Sequence, residues 1–176
     1  MLRESLETLI LVGAIYAFVN LSSARFVVEG DSMQPNFATG QFLIVSRVHY
    51  LLGHPERGDI IVFHYPNAPE MDLIKRVIGL PGDVVRIDMG QVFVNDIALE
   101  EPYIREPCDR FECPDAEWTI GTNQYFVMGD NRNESRDSRS FGPVDETYIV
   151  GQALLRYWPP SDLAAVSHYA FPDGSQ

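Results

Sequence analysis

The pattern of apolar and polar positions changes character once, near the N-terminus. Thr8 to Ala24 is a run of 17 residues without a charge, and its centre, Leu9 to Val19 (LILVGAIYAFV), is wholly nonpolar or aromatic. A helix of that length rises about 26 Å, the short end of what crosses a bilayer. The first expectation is therefore a single membrane-spanning helix, with residues 8–24 in lipid and residues 1–25 as the anchor. Two other readings stay open on pattern alone. Leu9 to Val19 can serve as the apolar stretch of a cleaved signal, with small residues at Ser22-Ser23-Ala24, although MLRESLE sets Glu4 and Glu7 against a single arginine and makes a poor leader. It can also be a buried core helix. Arg3 and Arg25 flank the run on opposite sides, so the positive-inside rule does not orient it.

Beyond Arg25 the period shortens. Gln41 to Ser46, Asp59 to Tyr65, Leu73 to Ile78, Val84 to Asp88, Gln91 to Val94 and Gln124 to Met128 are rich in β-branched and aromatic side chains, as strands are. Gly40, Gly58-Asp59, Pro66-Asn67, Pro81-Gly82-Asp83, Met89-Gly90 and Asn95-Asp96 punctuate them. Val92 to Val94 and Ile97 to Leu99 around Asn95-Asp96 read as a tight hairpin. Past Val28 no segment keeps a helical period for ten residues. The predicted fold is mainly β: an antiparallel core from 26–82 and 125–176, with a small β-rich insert at 83–124 that holds the acidic, proline-containing stretch and both cysteines.

At 176 residues, with 45% hydrophobic and 22% charged, the chain suits one compact domain with such an insert. The net charge of -12 and the lack of any basic run argue against nucleic-acid binding. Cys108 and Cys113 form one staple at most and cannot build a four-ligand zinc site without further cysteines or clustered histidines. His49, His54, His64 and His168 show neither metal-like spacing nor an obvious aspartate partner, and read as structural or surface groups.

Three features carry chemistry. Ser32 stands in Gly30-Asp-Ser-Met33, a turn able to present a hydroxyl beside backbone N–H groups, although most such serines are ordinary turn residues. Lys75 is the sole lysine of the chain, the other 12 basic residues being arginine. Arginine keeps its proton in proteins, whereas a desolvated lysine can act as a base; the plain alternative is an edge lysine that reaches solvent. Gly129 to Gly142 interleaves arginines with Asp130, Glu134 and Asp137, the composition of either a solvated loop or a locked charge network beside an active site.

Taken together and in order, Gly30-Asp-Ser-Met-Gln-Pro35, Arg57-Gly-Asp-Ile-Ile-Val-Phe-His-Tyr-Pro66, Asp72-Leu-Ile-Lys-Arg-Val-Ile-Gly-Leu-Pro-Gly-Asp83 and Gly129-Asp-Asn-Arg-Asn-Glu-Ser-Arg-Asp-Ser-Arg139 resemble the successive boxes of bacterial type I signal peptidases. The resemblance runs from the apolar segment to Trp158-Pro-Pro160. It implies a membrane-anchored serine endopeptidase that removes signal peptides from exported preproteins, with its catalytic domain on the extracytoplasmic side and no metal or organic cofactor. Ser32 then matches the nucleophile and Lys75 a general base acting in its neutral form, a histidine-free variant of triad logic. Ser135 matches a hydroxyl that orients the lysine, and Asp130, Asp137, Arg139 and Arg76 match residues that pair to hold the active-site floor. Phe26, Val28, Met33, Phe37, Leu43, Val62, Asp72, Leu73 and Ile74 match positions lining shallow pockets for the first and third residues before the cut, which implies an Ala-X-Ala preference for a peptide bound as an added strand.

Gly30 departs from those relatives that carry a serine there as an oxyanion donor, leaving the backbone N–H groups of Ser32 and Gly30 for that task. Asp31 and the pair Asn133-Glu134 depart as well, the first placing a carboxylate beside the nucleophile. In an oxidising exterior Cys108 and Cys113 are candidates for a disulfide. The expected enzyme is a monomer whose partners are preproteins and the bilayer. The contrasting possibilities are another Ser-Lys protease and an inert anchored β-domain that serves as an interaction module.

Overall fold

The structure, a computed structural model, describes residues 2–171. The apolar run forms α1, Leu2–Ser22, and its membrane-length window is not buried against the rest of the chain. Leu9, Leu11, Ile15 and Phe18 all stand more than half exposed, which removes the core-helix reading. The helix also stops short of the 1–25 expected for the anchor. The hydroxyls of Ser22 and Ser23 turn back onto the Val19 carbonyl, at 3.2 and 2.8 Å, competing with helical backbone. The chain then passes directly into β1, Ser23–Val27.

The remaining elements are β2 (Phe42–Ser46), α2 (His49–Leu52), β3 (Ile60–Tyr65), β4 (Ala68–Gly79), β5 (Val84–Asp88), β6 (Gln91–Val94), β7 (Ile97–Ala98), β8 (Ala116–Thr119), β9 (Gln124–Met128), α3 (Ser138–Phe141), β10 (Val144–Asp145), β11 (Ile149–Trp158) and β12 (Ala164–Ala165). They form two sheets, one ordered β1-β2-β11-β3-β4-β9-β10 with β12 against β11, the other β7-β6-β5-β8. Every pairing is antiparallel. The fold is thus mainly antiparallel β behind an apolar helix.

The second sheet lies wholly within residues 83–124. Its hairpin closes at Asn95 and Asp96, both at positive φ, with Val94 opposite Ile97, the geometry that matches strand twist in a two-residue loop. The sheet is not independent of the first. One apolar cluster joins Ile78, Phe126 and Met128 to Val85, Ile87, Val92 and Val94, and Phe171 near the C-terminus completes it.

Two free edges define where a ligand can bind. Among the described residues β1 pairs only with β2. β4 pairs with β3 along its length, but on its other edge pairing with β9 begins only at Arg76. The outer half of β4 therefore leaves a row of backbone groups without a strand partner.

Candidate active site

The turn carrying Ser32 is anchored from within. Met33 and Phe37 are buried, and the Phe37 N–H donates to the Met33 carbonyl at 2.9 Å. Gly30 has φ +81° and open space where a side chain would stand, so glycine is favoured there by conformation rather than by crowding. The Asp31 carboxylate accepts a hydrogen bond from Gln34 Nε2 at 2.7 Å, which ties it into its own turn.

Lys75 reaches this turn from β4. Its side chain is 2% exposed, and Nζ donates to Ser32 Oγ at 2.7 Å and to the Ile74 carbonyl at 2.7 Å. Burial lowers its pKa from 10.5 to about 8, against the opposing pull of Asp137 and Asp130 and with some help from Arg139.

The charged loop clasps the turn and acts on Lys75 through its charges. The Asn131 N–H donates to the Ser32 carbonyl at 3.0 Å, and Asn131 Nδ2 donates to the Asp31 carbonyl at 3.1 Å. A side chain at Gly129 would collide with the Ser32 carbonyl and the Ser135 hydroxyl, so the loop approaches this closely only with glycine. Asp137 accepts from the Gly129 N–H at 3.0 Å and from Arg139 Nε and Nη2 at 2.8 Å each. Burial alone would raise the Asp137 carboxyl, but the Arg139 bonds and charge, with the Gly129 N–H, hold it below its ordinary value. Arg76 makes a two-pronged pair with Asp130, both contacts 2.8 Å, and lies over the Tyr103 ring at 4.1 Å. Ser135 Oγ is buried and meets the geometry of no hydrogen bond; its polar influence falls on the Asp137 carboxylate.

A cleft of about 410 Å³ opens beside Ser32 and Lys75, lined by Phe26, Val27, Glu29, Val62 and the β4 segment Glu70 to Ile74. Of the expected pocket residues, Phe26, Val62, Asp72, Leu73 and Ile74 stand there. Val28, Met33, Phe37 and Leu43 do not. They are packed inside the apolar cluster that contains Val62 and supports Phe26 and Ile74, so they shape the cleft floor from behind. Phe37 lines a separate cavity with Arg76 and Tyr103. Val27, Glu29, Glu70 and Met71 are cleft residues the sequence did not single out; their signal was position, in β1 and on the free half of β4.

Comparison with known proteins places the chain in a family. Residues 2–158 match the family model described as Signal peptidase, peptidase S26. The chain is a member of the S26 signal peptidase family. It is 38% identical to signal peptidase I of Leptolyngbya laminosa, over 92% of this chain and 82% of that protein. It is 32% identical to signal peptidase IB of Staphylococcus aureus strain COL, over 92% of this chain and 94% of that protein. A crystal structure of a signal peptidase I from Enterococcus faecalis V583 is similar at TM-score 0.50 and 32% identity, covering 56% of this chain and 95% of that one. Membership makes this chain a serine protease that cleaves signal peptides.

In this signal peptidase two histidines do have aspartate partners, contrary to the sequence reading. His64 Nδ1 lies 2.7 Å from Asp72 and His168 Nδ1 lies 2.9 Å from Asp59. Neither ring hydrogen-bonds Ser32. The pairs join positions on neighbouring strands, or far apart in the chain, and so leave no local motif. Several braces were missed for the same reason. Asn36 Nδ2 donates to Asp130 and to the Tyr103 carbonyl, each at 2.7 Å; Arg132 clamps Glu101; and Arg105 reaches Gln34 at 3.0 Å. Through them the segment before the cysteines supports the nucleophile turn. Cys108 and Cys113 are joined as a disulfide, with Arg139 Nη1 lying 2.7 Å from Cys113 Sγ.

Proposed function

We propose that this signal peptidase works through Ser32 as nucleophile and neutral Lys75 as general base, cutting exported preproteins after an Ala-X-Ala-like sequence. The observation that carries the reading is the 2.7 Å contact between Ser32 Oγ and a buried Lys75 Nζ. In the acting form Lys75 has lost its proton and accepts that of the Ser32 hydroxyl as Oγ attacks the scissile carbonyl. The resulting ammonium then supplies a proton to the departing amine. The Ser32 N–H, with backbone at Gly30, faces the developing oxyanion. Asp137, Arg139, Asp130 and Arg76 fix the floor; Ser135, buried beside Asp137 and not bonded to Lys75 in this structure, is the candidate to orient the lysine once that side chain loses its proton. The shallow, apolar-walled cleft supports small side chains at the first and third positions before the cut.

Residues 8–22, the apolar part of α1, anchor the enzyme in the bilayer, since β1 already begins at Ser23, and the catalytic part works as a monomer on the extracytoplasmic face. β1 follows α1 without a linker and lines the cleft at Phe26 and Val27, which supports a site close to the membrane surface where a signal peptide emerges. Purified full-length protein in detergent tests the reading. Ser32→Ala and Lys75→Ala should each abolish preprotein cleavage with the circular dichroism spectrum unchanged, and wild-type kcat/KM should rise as pH passes about 8. Retained cleavage in Lys75→Ala would sink the dyad.

A further inference from the structure

The cleft is one-sided in charge. Among the side chains that line it, Glu29, Glu70 and Asp72 are acidic and Lys75 alone is basic. Lys75 lies buried at the floor, whereas Glu29, Glu70 and Asp72 are exposed on the rim. Outside that lining, His64 on β3 leans on Asp72, and Arg25 stands exposed at the membrane end of β1, two residues before Val27. A peptide lying in the cleft between the free edges of β1 and β4 thus meets three carboxylates along its lining and no arginine there.

We infer that this rim selects the charge of the signal-peptide segment just before the cut, favouring basic side chains and rejecting acidic ones. The inference rests on the proposed dyad and deepens it. The direction follows from the chain path. β1 runs from the end of α1 toward Ser32, so the arm of the cleft between Phe26 and Ser32 points back to the membrane and holds residues that precede the scissile bond. An extended peptide advances about 3.3 Å per residue with alternating side chains. Residues two and four before the cut then turn away from the pockets toward the mouth of the groove, where Glu29 and Glu70, neither of them among the expected pocket residues, are exposed, while Asp72, at the pocket edge, adds its charge at short range. Asp72 lies three residues along β4 from Lys75 and Glu70 five, a span of roughly 10 to 17 Å, which brings both alongside that segment. Exposed ion pairs are individually weak, but three carboxylates around one open groove act together on a bound charge.

The test uses full-length enzyme in a nonionic detergent and three preprotein peptides, identical except for Lys, Gln or Glu at the second and fourth positions before the cut. The expected order of kcat/KM is Lys, then Gln, then Glu, with a spread of about tenfold at low ionic strength that shrinks in about 0.5 M salt. The double variant Glu29→Gln/Glu70→Gln, at two exposed positions, should reduce the spread to about twofold, and adding Asp72→Asn should reduce it further. Equal rates for the three peptides with an enzyme that cleaves them, or an undiminished spread in the variants, would overturn the charge preference and leave the dyad standing. Failure of wild-type enzyme to exceed Ser32→Ala on the Gln peptide would overturn the proposed function and this preference with it.

Discussion

β4 carries two neighbouring buried cations that face opposite sides of the sheet, and the structure treats them in opposite ways. On one side Arg76, 3% exposed, is met by both oxygens of Asp130, the Gly58 carbonyl and the Tyr103 ring. On the other, Lys75, 2% exposed, meets only a hydroxyl and its own strand's carbonyl and forms no ion pair among the described residues. A buried charge is tolerated when a carboxylate is bonded to it and otherwise tends to be neutralised. The carboxylate that serves the Lys75 side, Asp137, is held by Arg139 and the Gly129 N–H. It reaches the lysine only through its field, which is too little to restore the ordinary pKa. Depth is the same on both sides; what separates a structural cation from a base is which residue holds the carboxylate.

The largest break comes from giving the Lys75 side the chemistry of the Arg76 side. Lys75→Arg keeps a cation that cannot be deprotonated. It should lower kcat/KM by about 1000-fold, within the range that general-base loss covers; preprotein cleavage by the folded variant measures it, and activity within tenfold of wild type would remove the need for a neutral base. The converse break, Arg76→Met, strands Asp130 in the interior without a counter-charge. That should cost about 3 kcal/mol or more in urea unfolding, and pairing it with Asp130→Leu should recover most of the loss, because the penalty belongs to the uncompensated charge.

Where local rules decide, the sequence reads well. The Asn95-Asp96 hairpin, the strands at Phe42, Ile60, Val84 and Gln124, and the apolar helix all follow from periodicity and turn residues. β11 escaped because Gly151 and Gln152 interrupt its apolar run and its pairings shift register at several points, which hides a period of two. Four pocket assignments missed the cleft because Val28, Met33, Phe37 and Leu43 are as apolar as true lining residues, and sequence does not tell the surface of a cleft from the layer behind it. Ser32, Lys75 and the charged loop were legible as chemistry only as an ordered set. Asn36, Tyr103 and Glu101 were not, since each acts through partners far along the chain.

The contrast between the two faces of β4 also has a signature in stability. With a folded pKa of about 8 against 10.5, Lys75 binds fewer protons folded than unfolded between those values. Wild-type stability therefore rises with pH across that window, and the full penalty is present below about pH 8. Lys75→Met removes the penalty while giving up two hydrogen bonds, so at pH 7 the inactive variant should be more stable than wild type by about 2 kcal/mol. The gap should close as pH approaches about 10. Equal stabilities at pH 7 would mean that the lysine is not desolvated in solution.

The smallest effect separates an orienting role from a packing one at Ser135. Its hydroxyl is buried beside the Asp137 carboxylate without a well-formed hydrogen bond, an arrangement that adds little to stability against the cost of desolvating it. Removing it in Ser135→Ala should leave urea stability within about 1 kcal/mol of wild type, or raise it slightly. If the hydroxyl turns to the lysine once Lys75 gives up its contact with Ser32, kcat should still fall by about tenfold, with KM unchanged and the alkaline limb of the pH profile displaced. Ser135→Thr, which keeps the hydroxyl, should restore part of the rate. A fall in stability with no change in the profile would instead make Ser135 a packing residue, and Lys75 would then be poised by burial and the surrounding charges alone.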